Sequence, residues 1–175
     1  MDYFNKEALK AVELHKKNKL SEAKIIYLNL IKISPNNSQI LRLLSSIEIS
    51  FENYDVALDL LDKCIKIDNN DSEAYSNRGI VFFKKKDIKK AKRDYFKSIE
   101  INNNTNALFN LANLYKEIDE LEESEKYFNK VISINSNNYK AFHNLAVVKN
   151  LQGKIKESIN YFDKAIKINK YSESY

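Results

Sequence analysis

Apolar residues along this chain recur three and four positions apart within short segments, and polar clusters separate the segments. That spacing places one apolar face on a helix. Aligned on Ala23, Ala57, Ala91, Ser124 and Ser158, the segments repeat at spacings of 34, 34, 33 and 34 residues. Four residues after each anchor stands a large side chain: Tyr27, Leu61, Tyr95, Phe128, Phe162. Eight and ten after stand isoleucines: Ile31, Ile65, Ile99, Ile132, Ile166 and Ile33, Ile67, Ile101, Ile134, Ile168. Three before come Leu20, Tyr54, Ile88, Leu121 and Ile155. Twelve before comes a second small column: Ala11, Ser45, Gly79, Ala112, Ala146.

Each unit therefore holds two helices, A and B. The small columns permit close approach where A crosses B, and the large and isoleucine columns are expected to fill the space between neighbouring helices. One hairpin cannot bury both apolar faces, so the units must stack. The junctions Ser34-Pro35-Asn36-Asn37-Ser38, Asp68-Asn69-Asn70-Asp71-Ser72, Asn102-Asn103-Asn104-Thr105 and Asn135-Ser136-Asn137-Asn138 agree. Asn tolerates the left-handed conformation that ends a helix, and Asn, Ser, Asp and Thr cap the next one. Ala107, just before the apolar stripe of the fourth unit, is expected to be more exposed than Ala91.

Composition narrows the classes. Among 175 residues there are 2 Gly and 1 Pro, too few for the turns of an all-β protein. Gly79 and Gly153 lie too far apart for a Gly-rich phosphate loop. There is no run of 18 apolar residues to span a membrane, and the N-terminus lacks an apolar signal core. A lone Cys64 can form no internal disulfide. The net charge of +5 is mild, and 23 asparagines beside many Lys and Ile match an AT-rich coding bias more than a nucleic-acid signature.

The repeat resembles the tetratricopeptide repeat (TPR). The third unit shows Tyr75, Gly79, Phe82, Ala91 and Tyr95, and the fifth shows Phe142, Leu145-Ala146, Ser158 and Phe162. Glu7 departs from the opening aromatic, Pro survives only as Pro35, and one residue is missing before Thr105. The resemblance implies an all-α, right-handed solenoid of five hairpins. It would form a single array over 1–170 (units about 4–37, 38–71, 72–104, 105–138, 139–170) with a polar tail at 171–175. It also implies a protein-interaction scaffold, with A helices lining a concave groove.

The positions expected to line that groove are Asn5, Ala8, Val12 and His15, then Gln39, Arg42, Leu43, Ser46 and Ile49. The third unit adds Glu73, Ser76, Asn77, Ile80, Phe83 and Lys84. The fourth adds Asn106, Phe109, Asn110, Asn113 and Lys116, and the fifth Lys140, His143, Asn144, Val147 and Asn150. Asn77, Asn110 and Asn144 share one repeat position. An amide can donate to a peptide carbonyl and accept from a peptide N–H at once. Similar asparagine ladders occur in the repeats of protein O-linked N-acetylglucosamine transferases, and the stretch from Leu14 to Tyr27 is weakly similar to the first repeat of bacterial relatives of those enzymes. The candidate peptide-binding set is Asn77, Asn110, Asn144, Arg42, Phe83, Phe109, Asn113, Lys116 and His143. The two-carboxylate clamp of chaperone-tail binders is not matched: its places hold Arg42, Ser46, Asn77, Asn106 and Asn110.

Other features read as structure. Lys84 to Arg93 carries seven cations against one acid. It reads as a solvated turn and convex face, because no aromatic column interleaves with it as base stacking requires. Ser124 and Ser158 replace buried alanines, and Cys64 reads as a small core residue. Neither a catalytic residue, a metal site nor a cofactor is expected. The reading is a cytoplasmic, non-catalytic adaptor for a protein or extended peptide, without nucleic-acid or membrane partners. Its rivals are the recruiting module of a transferase system, a self-assembling scaffold and an RNA-binding array. The face of Ile159, Phe162 and Ile166 is expected to lack a following unit, and so to mediate homodimerisation or domain docking.

Overall fold

The computed structural model describes residues 3–172. It contains ten α-helices and no strand among the described residues. They are α1 (Tyr3–Lys16), α2 (Leu20–Ile33), α3 (Ser38–Ser50), α4 (Tyr54–Ile67), α5 (Ser72–Lys84), α6 (Ile88–Asn102), α7 (Thr105–Glu117), α8 (Leu121–Ile134), α9 (Tyr139–Leu151) and α10 (Ile155–Ser172). Odd helices are the expected A helices and even ones the B helices. Of the expected tail, Tyr171 and Ser172 belong to α10, and 173–175 lie outside the described residues.

The chain divides into two compact units between Asp94 and Tyr95, within α6. In the first, Ala11, Ala23, Tyr27, Leu30, Ile40, Leu44 and Ile47 form one core cluster, and Leu41, Ala57, Leu61, Cys64, Ala74 and Val81 a second. In the second, Leu108, Leu111, Leu114, Phe128, Val131, Leu145 and Val148 are buried.

Both small columns are buried in every hairpin. Where the B-helix residue is serine, its hydroxyl uses the closeness of the crossing. Ser124 Oγ donates to the Ala112 carbonyl at 2.8 Å, and Ser158 Oγ to that of Ala146 at 2.8 Å. A buried hydroxyl without such a partner would be destabilising.

Four expectations change. Ala107 is fully buried, not exposed. It belongs to a column of Ile40, Ala74, Ala107 and Ala141, all buried at the start of an A helix. Ile40 and Ala74 pack in clusters with Leu30 and Cys64 of the preceding B helix. The later isoleucine column does not fill the inter-helix space throughout. Ile33, Ile67 and Ile134 are exposed, because each is the last residue of its B helix. Ser76 is buried and cannot line a groove.

The fourth change concerns backbone handedness. The Asn-rich B-to-A junctions mainly cap: Asn37, Asp71, Asn104 and Asn138 each accept from a backbone N–H of the next helix. Left-handed residues sit instead in the A-to-B turns, at Asn18, Glu52, Lys86, Asp119 and Gly153, with Asn103 the one junction case. Closing a tight helical hairpin requires positive φ there whatever the side chain. For L-residues that conformation costs about 1–2 kcal/mol; at Gly153 it is free of that cost.

Several charges are buried. Arg78 Nε lies 2.6 Å from Asp94 Oδ2, its Nη2 3.1 Å from Oδ1, and its Nη1 2.6 Å from Asp62. Lys24 Nζ meets the buried Glu48 at 2.8 Å. Lys149, also buried, meets Glu125 at 2.6 Å and Glu157 at 2.8 Å. None was read from the sequence.

Candidate functional site

In the first unit a cleft of about 400 Å³ opens between α1 and α3. Phe4, Ala8, Leu9, Val12, Ile40 and Leu43 supply apolar walls, and Asn5, Asn37 and Gln39 supply amides. Asn5, Ala8, Val12, Gln39 and Leu43 are expected groove positions; Phe4, Leu9, Asn37 and Ile40 were missed. Leu9 occupies the repeat position of Asn77, so alignment alone would have found it.

Arg42, a candidate for peptide contact, is committed within the protein. Its Nε donates to Asp71 at 2.9 Å, and its guanidinium also bonds Glu73. Its charge is met by two carboxylates before any ligand arrives. Asn77 and Phe83 are half-buried in the same unit.

In the second unit the A helices are α7 and α9. Phe109 lies edge-on to the buried Phe128, with ring centroids 5.6 Å apart. His143 stands in the same relation to Phe162, at 5.3 Å. Phe109 thus rests on the core, while the exposed His143 stands over a half-buried ring. Asn113 Nδ2 donates to the Phe109 carbonyl at 3.0 Å, and Asn144 Nδ2 to that of Lys140 at 2.9 Å. Lys116, in the last turn of α7, donates to Asn144 Oδ1 at 3.0 Å and to Asn113 Oδ1 at 3.4 Å. The structure therefore brings Asn113, Lys116 and Asn144 together. Asn110 is half-buried on α7.

The remaining chemistry is quiet. Burial, then Asp71, pushes the Cys64 thiol up to about 12, so it is a poor nucleophile. His15 lies edge-on to Tyr27, and burial lowers its pKa. The lysine-rich turn is partly neutralised, through Lys85–Asp55 at 2.7 Å and Lys90–Asp87 at 2.9 Å. Among the described residues no group of three His, Cys, Asp or Glu could hold a metal ion, and no helix is long and apolar enough to cross a membrane.

The tetratricopeptide-repeat family matches residues 72–104, 105–138 and 139–171. The chain belongs to this family. A TPR repeat-containing protein of Methanocaldococcus jannaschii is 36% identical over 108 residues, 61% of this chain and 19% of the relative. The uncharacterized protein ycf37 of Pyropia yezoensis is 34% identical over 91 residues, 51% of this chain and 48% of the relative. The chain thus spans less than half of either curated relative. Among solved structures, MamA superposes with TM-score 0.77 at 23% identity, covering 100% of this chain and 99% of that one. Pseudomonas aeruginosa PilF gives 0.83 at 13%, over 94% and 75%. YrrB, described as a TPR protein with an unusual peptide-binding site, gives 0.66 at 21%, over 95% and 92%. At these identities the TPR superpositions establish the fold. TPR arrays are in general protein-interaction scaffolds, and this chain is one by family.

Proposed function

We propose that this TPR chain is a non-catalytic adaptor whose A-helix faces bind an extended peptide. The observation that carries the reading is the face of α7 and α9, where amides stand on the same helices as Phe109, braced on the buried Phe128, and the exposed His143. Phe109 and His143 offer apolar and stacking surface. Asn110 keeps both amide functions for a peptide backbone. Asn144 has spent one N–H on Lys140 and part of its oxygen on Lys116, which leaves one N–H to donate. Asn113 stands likewise. Asn77 and Phe83 offer the same chemistry on α5 of the first unit, and the α1–α3 cleft supplies apolar walls of its own. Arg42, paired with Asp71 and Glu73, shapes its surface rather than attracting an anion.

The test starts from peptides selected on the protein by display, then measured by calorimetry. Asn110→Ala with Asn144→Ala should weaken peptides bound to the second unit by about 1–3 kcal/mol, at about 0.5–1.5 kcal/mol for each amide contact. Asn77→Ala should do the same, singly, for peptides on the first. Melting should stay unchanged, since these side chains lie outside the core. Unaltered affinity in intact variants would sink the amide role.

A second reading concerns α10. Ile155, Ile159 and Ile166 are each more than half exposed, on a helix face with spacings suited to a two-helix seam. In an antiparallel pairing of two copies, exposed Lys156 of one would meet exposed Asp163 of the other, twice by symmetry. We propose a homodimer through this face. Phe162 is half-buried against His143, so Ile159→Glu is the cleaner probe. Sedimentation should show a concentration-dependent dimer that the variant abolishes. A monomer at the highest concentration would remove this reading.

A further inference from the structure

Later B helices carry a charge at one or both of the exposed places two and five residues after the buried anchor: Asp59 and Asp62, Arg93 before Phe96, Lys126 before Asn129, Asn160 before Asp163. In α2 those places hold Ile25 and Leu28, 61% and 42% exposed, and Ile33 at its end is 59% exposed. The opposite side of α2 is core, through Ala23, Tyr27 and Leu30. A helix that is apolar all round is ordinarily buried, so the outer side of α2 calls for a cover.

The neighbouring residues define that cover. Tyr3 of α1, 67% exposed, lines a shallow concavity with Ile26 and Ile33. Its volume of about 30 Å³ has room for a water and for no side chain. The surface therefore suits a flat partner. Lys6 and Lys10 stand three and seven residues after Tyr3, on the same side of α1, and Lys32 stands four after Leu28 and seven after Ile25. These lysines are exposed, and no carboxylate among the described residues pairs with them. The acids nearby are Glu7, half-buried in the concavity, and Glu22, held by Lys19 at 3.2 Å. Charge thus favours an anionic occupant. A second copy of the chain fits poorly. Like faces would set lysine against lysine, and α10 carries Lys156, Lys164, Lys167 and Lys170 against Glu157 and Asp163.

We propose that the outer side of α2, with Tyr3, seats the first unit on an anionic lipid surface, lying on it without crossing it. Ile25, Leu28 and Ile33 enter the boundary of the acyl chains, Tyr3 takes the interfacial level, and Lys6, Lys10 and Lys32 meet the headgroups. The expectation of no membrane partner rested on the lack of a spanning run and a signal core, and this mode needs neither. No residue of α2 lines the α1–α3 cleft, so the two surfaces are separate.

The test is flotation of the full-length protein at low salt with two kinds of vesicle, pure phosphatidylcholine and an equimolar mixture with phosphatidylserine. Binding is expected to the mixed vesicles and to be at least about tenfold weaker on the neutral ones, since each lysine at an anionic surface contributes about fivefold. Lys10→Gln with Lys32→Gln should lower the partition coefficient about 25-fold. Ile25→Ser with Ile33→Ser should lower it at least about tenfold, through lost apolar contact. Melting should stay unchanged in both doubles, because all four positions are exposed. Ile159→Ser, on the exposed apolar face of α10, should bind as the parent does. Failure to float with either vesicle would overturn the lipid surface and turn this face over to an acidic protein. Binding that survives the α2 double, or that Ile159→Ser abolishes, would overturn the assignment to α2.

Discussion

Replacing Arg78 with leucine is expected to destabilise the protein by about 3–5 kcal/mol, because it leaves a buried carboxylate without its main partner. Asp94 is 1% exposed, and Arg78 reaches it through two guanidinium nitrogens. The surviving contact, from Arg93, comes from a side chain that is mostly in water. The repeat supplies the control. The positions of Arg78 and Asp94 are Leu44 and Leu60 in the second hairpin, where both pack in one apolar cluster. Arg78→Leu combined with Asp94→Leu should therefore recover most of the loss, since a well-packed apolar pair often equals or exceeds a buried ion pair. Urea midpoints of the two singles and the double would decide. A double as unstable as the sum of the singles would show that the pocket cannot close around leucines.

The second large effect is steric. Ala91→Leu should cost about 1–3 kcal/mol or somewhat more, from overpacking a crossing whose facing residue is Gly79. Ala91 is fully enclosed. Ala107→Leu should now cost a similar amount, because that methyl is enclosed too. Lys89→Leu, on an exposed position, should leave the midpoint nearly unchanged. A tolerant Ala91 would mean that α5 and α6 can separate without penalty.

Some of this was legible from residue types alone. Ala11 with Ala23, and Gly79 with Ala91, announce a crossing because only small residues recur there. The Ala107 column was equally regular, yet alanine is at home on a surface helix as well as in a core. Only the preceding B helix decides between them. Ile33, Ile67 and Ile134 mislead in the opposite way: their type says core, while their place at a helix end leaves them beyond the reach of a neighbour. The left-handed turn column is legible only in part. Asn18, Asp119 and Gly153 are types that enter that conformation readily, but Glu52 and Lys86 are not, and there hairpin closure imposes it. At the candidate site, the helix positions of Asn110, Asn113, Lys116 and Asn144 follow from the period. That Lys116 reaches across to Asn144 depends on side-chain directions from two helices, which periodicity does not encode. The buried charges were hidden for a related reason. Glu48 and Lys149 stand where other hairpins carry Phe82 and Tyr115, and a charge in an apolar column reads as an exception until its partner is seen.

Two of those charge pairs use the same repeat positions with the signs exchanged: Lys24 with Glu48 in one unit, and Glu125 with Lys149 in the other. Hairpins that share their small and apolar columns can dock on the wrong neighbour during folding, and between molecules they can trade places. Here α9 docked on α2 would set Lys149 against Lys24, and α3 docked on α8 would set Glu48 against Glu125. Both errors would bury like charges together, at a cost of several kcal/mol. The exchanged signs thus act as a key between adjoining hairpins, one that rejects a shuffled order while the shared apolar columns would accept it.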